Sequence, residues 1–171
     1  MIKNLPLYYA QFLTWWSVIL YLVYIIYSNY YKVPIYITNF ILSIIITSGL
    51  CGTYITYRYG DYIINYLYFK NVIYMYLGDF IIHIIPFISV LYYYTKYINN
   101  SIMEDNILQS FIKTLIITII YIFIYLTLID INYIYFKLPS YLIIVPGIIV
   151  FTITLIYINY IQYIQYYKTF Y

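Results

Sequence analysis

Among its 171 residues the chain has one cysteine, one histidine, one arginine and one alanine. Each scarcity closes a class of function. A lone Cys51 excludes an intramolecular disulfide, and with His83 as the only imidazole there is no His/Cys set for a structural zinc and no bis-histidine haem within one chain. No metal and no cofactor is therefore expected. Charge is equally sparse: 8% of residues are Asp, Glu, Lys or Arg, too few to coat a water-soluble globule of this size. The net charge of +3 comes from eight scattered basic residues rather than a run, so nucleic acid is not an expected partner.

What the chain does have is apolar bulk. Hydrophobic residues make up 66% of it, and a mean hydropathy of +0.87 makes a bilayer the solvent that tolerates it. Membrane lipids are its expected surroundings. The 31 tyrosines and abundant isoleucine look like codon usage in an AT-rich genome, so a single tyrosine carries little weight.

Crossing about 30 Å of hydrocarbon takes about 20 residues at a rise of about 1.5 Å each. Five runs meet that ruler, over 7–28, 35–57, 72–94, 111–130 and 140–163. The expected fold is all-α, a polytopic transmembrane helical bundle of about five spans in a single domain. The opening MIKNLPLYYAQF is not followed by a small-x-small cleavage pattern and is read as part of a retained first helix. The stretch 62–71 is too short to cross and is expected at the interface, where tyrosine is comfortable. Residues 97–110 (YINNSIMEDNILQS) are the clearest aqueous loop. Lysine and arginine divide evenly between the two sides and leave the orientation open. No internal repeat supports a transporter of the inverted-repeat design.

Polar residues inside the spans carry the functional information. Ser48, Gly52 and Thr56 recur at every fourth position of the second span with Gly49 beside them, a small-residue face expected to pack within the bundle rather than to dimerise the protein. Cys51 is expected to be a buried filler. Ionisable groups are costly in hydrocarbon unless paired, and three fall within spans: Asp79, His83 and Asp130. Asp130 lies near a helix end, where capping or pairing with Lys137 is the favoured role. Asp79 and His83 are four residues apart in LGDFIIHIIPF, so they share a helix face and can hydrogen-bond. A carboxylate one turn before an imidazole holds it in one tautomer and stabilises its protonated form. Pro86 is expected to bend the helix just beyond.

Depth decides which hydroxyl can meet the pair. The first and third spans run in the same direction, which puts Thr14 about 10 Å and His83 about 16 Å in from the same face. Asp130, Asn132, Arg58 and Asp61 end up on that side as well. The polar groups are thus expected in one half of the bundle, with mainly Ser, Thr and Tyr in the other. The alternative is that Asp79 and His83 only satisfy each other in a packed core, with Thr14 bonded to the carbonyl one turn back.

Phe12-Leu13-Thr14 at the opening of the first span, His83 followed by Pro86-Phe87-Ile88, and a fourth span leading through Tyr133, Tyr135 and Pro139 into a last helix form a recognisable order. Over about residues 8–165 this resembles the androgen-induced and androgen-dependent membrane hydrolases, and bacterial multi-span proteins of similar layout. The chain departs from the family in a missing first helix and in a shorter spacing from His83 to Pro86. The family consists of threonine hydrolases that cleave fatty acid esters of hydroxy fatty acids. The resemblance implies Thr14 as nucleophile and His83 as its catalytic partner.

That chemistry is coherent with the residues, since a threonine hydroxyl needs a base to take its proton and His83, oriented by Asp79, is the one imidazole present. A lipid ester would then approach sideways from the bilayer. Two other classes compete. A non-catalytic subunit of a membrane complex, or a viral or organelle-encoded structural protein, would have no pocket at His83; an ion or proton pathway through Asp79, His83 and Asp130 should show polar residues in both halves, and it ranks last because the ionisable ones fall in one half.

Overall fold

The computed structural model describes residues 13–67, 71–102, 106–128 and 141–170. They form five helices: α1 (Leu13–Ser28), α2 (Ile35–Leu67), α3 (Val72–Asn99), α4 (Ile107–Leu128) and α5 (Tyr141–Phe170). The chain is an all-α bundle, as its composition dictates. Four helices contain stretches long and apolar enough to cross a membrane, namely Ile35–Arg58, Val72–Asn99, Ile107–Ile124 and Val145–Gln162. The described part of α1 is 16 residues long, and positions 7–12 of the expected first span lie outside the described residues.

The bundle is built around α2, which touches each of the other four helices. Its residues from Thr38 to Ile45 are buried without interruption, the pattern of a helix surrounded by other helices rather than one with a polar outer face. Leu42, Ile44 and Ile45 there pack with Tyr21 and Tyr24 of α1, Val90 of α3 and Ile158 of α5. The outer surface is the reverse of a soluble protein's. Leu22, Ile26, Ile81, Ile119 and Ile153 all point outward, and only hydrocarbon makes such a surface inexpensive.

Two expected boundaries move. The helix that opens at Ile35 does not stop at Arg58 but runs through Gly60 and Asp61 to Leu67, so the stretch expected as a separate interfacial segment continues α2. At Gly60 α3 comes close: a side-chain carbon at that position would lie 3.1 Å from Met75 Cε. The expected aqueous loop 97–110 is also much shorter. Helix α3 extends to Asn99 and α4 begins at Ile107, while Tyr97, Ile98, Ser101 and Ser110 are buried. Ser101 can leave water because its hydroxyl bonds both Thr38 Oγ1 and the Tyr97 carbonyl, each at 2.8 Å.

Residues β1 (Val33–Pro34) and β2 (Ser101–Ile102) pair in parallel. One follows α1 and the other follows α3. The two connections therefore leave the same end of the bundle, and α1 and α3 run in the same direction.

Candidate functional site

Helix α3 changes its winding where the polar pair sits. Val72–Asp79 and Ile85–Asn99 are α-helical, but Phe80–Ile84 forms a π turn in which the Ile85 amide donates to the Phe80 carbonyl five residues back. Pro86 accounts for this. In a regular α-helix its ring would press on the carbonyl of Ile82 and leave that carbonyl without a donor, and widening the preceding turn relieves the clash. Where the sequence led to the expectation of a bend, the structure has an inserted residue one turn before Pro86. Such turns occur often at functional positions in helices.

The π turn carries His83 between two partners. Its Nδ1 lies 2.7 Å from Asp79 Oδ1, and its Nε2 lies 3.2 Å from Thr14 Oγ1 on α1. In the tautomer whose Nδ1–H donates to a carboxylate, which can only accept, Nε2 keeps its lone pair for the Thr14 hydroxyl proton. The three residues singled out in the sequence thus form one hydrogen-bonded series across two helices. The His83 side chain is 14% exposed and that of Asp79 7%, so the imidazole has a small open edge while the carboxylate is shielded.

Helix α1 is built to face inward with its polar side. Thr14, Ser17, Tyr21, Tyr24 and Ser28 recur at intervals of three and four, one face of a helix, and all but the half-buried Thr14 are buried. Ile19, Leu22, Val23 and Ile26 point outward. One rung beyond the Thr14–His83 contact, the Tyr21 hydroxyl meets Ser89 Oγ at 2.7 Å and the Tyr97 hydroxyl at 2.9 Å. The step is seven residues along α1 and six along α3. Nearly equal steps are what two parallel helices in register give.

The small-residue face of α2 is where α3 leans. A side-chain carbon on Gly49 would stand 2.8 Å from Phe87 Cβ and 3.1 Å from the His83 carbonyl oxygen; one on Gly52 would overlap the His83 ring at Nε2 and Cδ2. The expected packing within the bundle is thus against the π turn itself. Cys51 is half-buried.

The opposite half of the bundle holds more than hydroxyls. Asn39 of α2 exchanges amide hydrogen bonds with Gln162 of α5, one of them 3.0 Å long, and its Nδ2 reaches Asn159 Oδ1 at 3.4 Å. All three side chains are buried. Neutral amides do not stand out in a sequence as ionisable groups do, and this cluster is not among the expectations above. The signal was present, because Asn39 lies one turn into the second span and Asn159 and Gln162 lie near the end of the fifth.

Of the other residues expected near the site, Arg58 is exposed, while Asp130, Asn132, Lys137 and the side chain of Asp61 lie outside the described residues. Among the described residues, no three His, Cys, Asp or Glu side chains come together as a metal site would require. Comparison with family models, with curated proteins and with solved structures gives no match for this chain.

Proposed function

We propose that the protein is an integral membrane hydrolase that cleaves fatty acid esters with Thr14 as nucleophile, His83 as general base and Asp79 as the group that orients it. The observation that carries this reading is the Asp79–His83–Thr14 series, in which one ring nitrogen of the only imidazole meets a carboxylate and the other a hydroxyl. Ionisable groups inside a span are expensive and are retained most often where they act.

Each step balances with these groups. Thr14 Oγ1 attacks the ester carbonyl as its proton passes to His83 Nε2, and Asp79 stabilises the imidazolium. The carbon–oxygen bond to the alcohol breaks, the alcohol leaves with the proton from Nε2, and the acyl group stays on Thr14. Water then attacks the acyl-threonine, giving its proton to His83, and the fatty acid leaves as Thr14 regains its hydrogen. A lipid substrate suits a site inside a bundle whose outer surface is apolar, as at Leu77, Phe80 and Ile81 of the same helix. A fatty ester would approach Thr14 sideways from the bilayer.

A second reading rests on the same three hydrogen bonding partners. Each satisfies another, as in a polar clamp that only ties α1 to α3 in a non-catalytic membrane subunit. Turnover separates the two. Purified protein should hydrolyse a long-chain ester, Thr14→Ser should keep part of the rate, and Thr14→Ala should lose it. His83→Ala should cost on the order of 100-fold or more, and the Thr14→Ala/His83→Ala pair no more than either alone, because a nucleophile and its base act as a unit. Wild-type protein with no activity on any long-chain ester, or Thr14→Ala at full rate, rejects the hydrolase.

A further inference from the structure

We infer that Gly52 is a positioning residue for His83: the volume its missing side chain leaves on α2 is the seat of the imidazole ring, and that seat holds Nε2 against the Thr14 hydroxyl. The catalytic consequence rests on the hydrolase reading, whereas the geometry does not.

Space, not backbone freedom, is what glycine provides here. Gly52 lies in the interior of a regular helix, where alanine is the better residue, and it has no left-handed backbone angle to accommodate. An added Cβ would overlap Nε2 and Cδ2 of His83 and stand 2.8 Å from Cε1. These are the atoms of the ring edge that faces Thr14. The Nδ1 edge, bonded to Asp79, is farther from the added carbon. A methyl group at position 52 therefore displaces the ring at its working end first, and the contact with Thr14 breaks before the contact with Asp79.

The other glycines define the contrast. At Gly78 and Gly147 an added carbon meets nothing within 4 Å, so glycine is not demanded there by space. At Gly49 it meets Phe87 and the backbone of α3, so that residue sets the distance between helices. Gly52 alone among the described glycines faces a reactive side chain. His83 lies within the π turn, so the winding of that turn sets where its ring stands against α2.

His83 being the only histidine, protein labelled with nitrogen-15 histidine gives one set of imidazole signals in detergent micelles. Gly52→Ala should move the Nε2 resonance as Thr14→Ala does, while Gly147→Ala leaves it in place. In an active enzyme, Gly52→Ala should lower kcat about tenfold or more with KM within about twofold, the pattern of a misplaced base rather than weakened binding. Should Gly52→Ala fail to fold, adding His83→Ala empties the space the methyl needs, and the double variant should recover the yield of His83→Ala alone. Unchanged ring signals in a folded Gly52→Ala, equal shifts in Gly147→Ala, or a folding defect that persists without the imidazole would each overturn the assignment. Ring shifts in a protein that hydrolyses no ester would leave the positioning intact and remove only the hydrolase.

Discussion

Replacing Asn39 by leucine tests how neutral amides hold the bundle together. Asn39 is fully buried, gives and accepts one hydrogen bond each with Gln162, and reaches Asn159 at a long 3.4 Å. Interhelical hydrogen bonds in membranes contribute about 0.6 kcal/mol on average, so the two bonds to Gln162 are worth about 1 kcal/mol. The partners left behind are not equal. Asn159 still donates to the Leu155 carbonyl at 2.8 Å, whereas Gln162 loses the partner of both its donor and its acceptor. Leaving a buried amide unsatisfied costs about 1–3 kcal/mol, which brings Asn39→Leu to a destabilisation of about 2–4 kcal/mol. Replacing both residues by leucine removes the orphan along with the bond, so Asn39→Leu/Gln162→Leu should be less destabilised than Asn39→Leu alone. Reversible unfolding of the four proteins of this cycle in mixed micelles measures the coupling. Equal or additive losses would refute the claim that the stranded Gln162 dominates the cost.

Three further outcomes follow from the same geometry. Tyr21→Phe removes the hydroxyl that meets Ser89 and Tyr97 and should lower stability by about 1 kcal/mol in the same unfolding assay, without abolishing ester turnover. Pro86→Ala restores a backbone donor and lets the π turn relax to α-helix, so stability should hold or rise while hydrolysis falls about tenfold or more as His83 turns away from Thr14; unchanged turnover would show that the turn does not aim the imidazole. In a Cys51→Ala background, Tyr30→Cys and Asn100→Cys should react with an impermeant maleimide from the same side of sealed vesicles, because both connections leave one end of the bundle. Labelling from opposite sides would break the parallel arrangement of α1 and α3 on which the site depends.

The site was legible in the sequence because its geometry follows from regular spacing. Four residues on one helix place Asp79 and His83 together, and a shared half of the bilayer on two parallel helices brings Thr14 within reach of the imidazole. Helix existence was legible for the same reason, since apolar length alone demands it. The π turn was not, because Pro86 shows that a regular helix cannot continue but not whether the chain kinks or inserts a residue. Nor was the burial of Ser101, whose cost is met by Thr38, a partner 63 positions away in the chain. The link from Gly52 to His83 needed the rotation of α2 about its axis, and a stripe of small residues fixes only which face is close-packed. Asn39 and Gln162 were missed because neutral amides do not stand out as charges do, yet each is as fully committed to a partner as His83 is.

The most direct test of the central claim is to look for the acyl group itself on Thr14. Purified protein mixed with a long-chain p-nitrophenyl ester should gain the mass of one acyl group, and fragmentation should place it on the peptide that contains Thr14. Thr14→Ala and His83→Ala should remain unmodified, since one lacks the attacking oxygen and the other the base that takes its proton. Asp79→Asn should acylate more slowly than wild type, as it keeps the shape of the orienting group but not its charge. Acylation of Thr14→Ala to the same extent as wild type, or an adduct on another residue, would contradict the account.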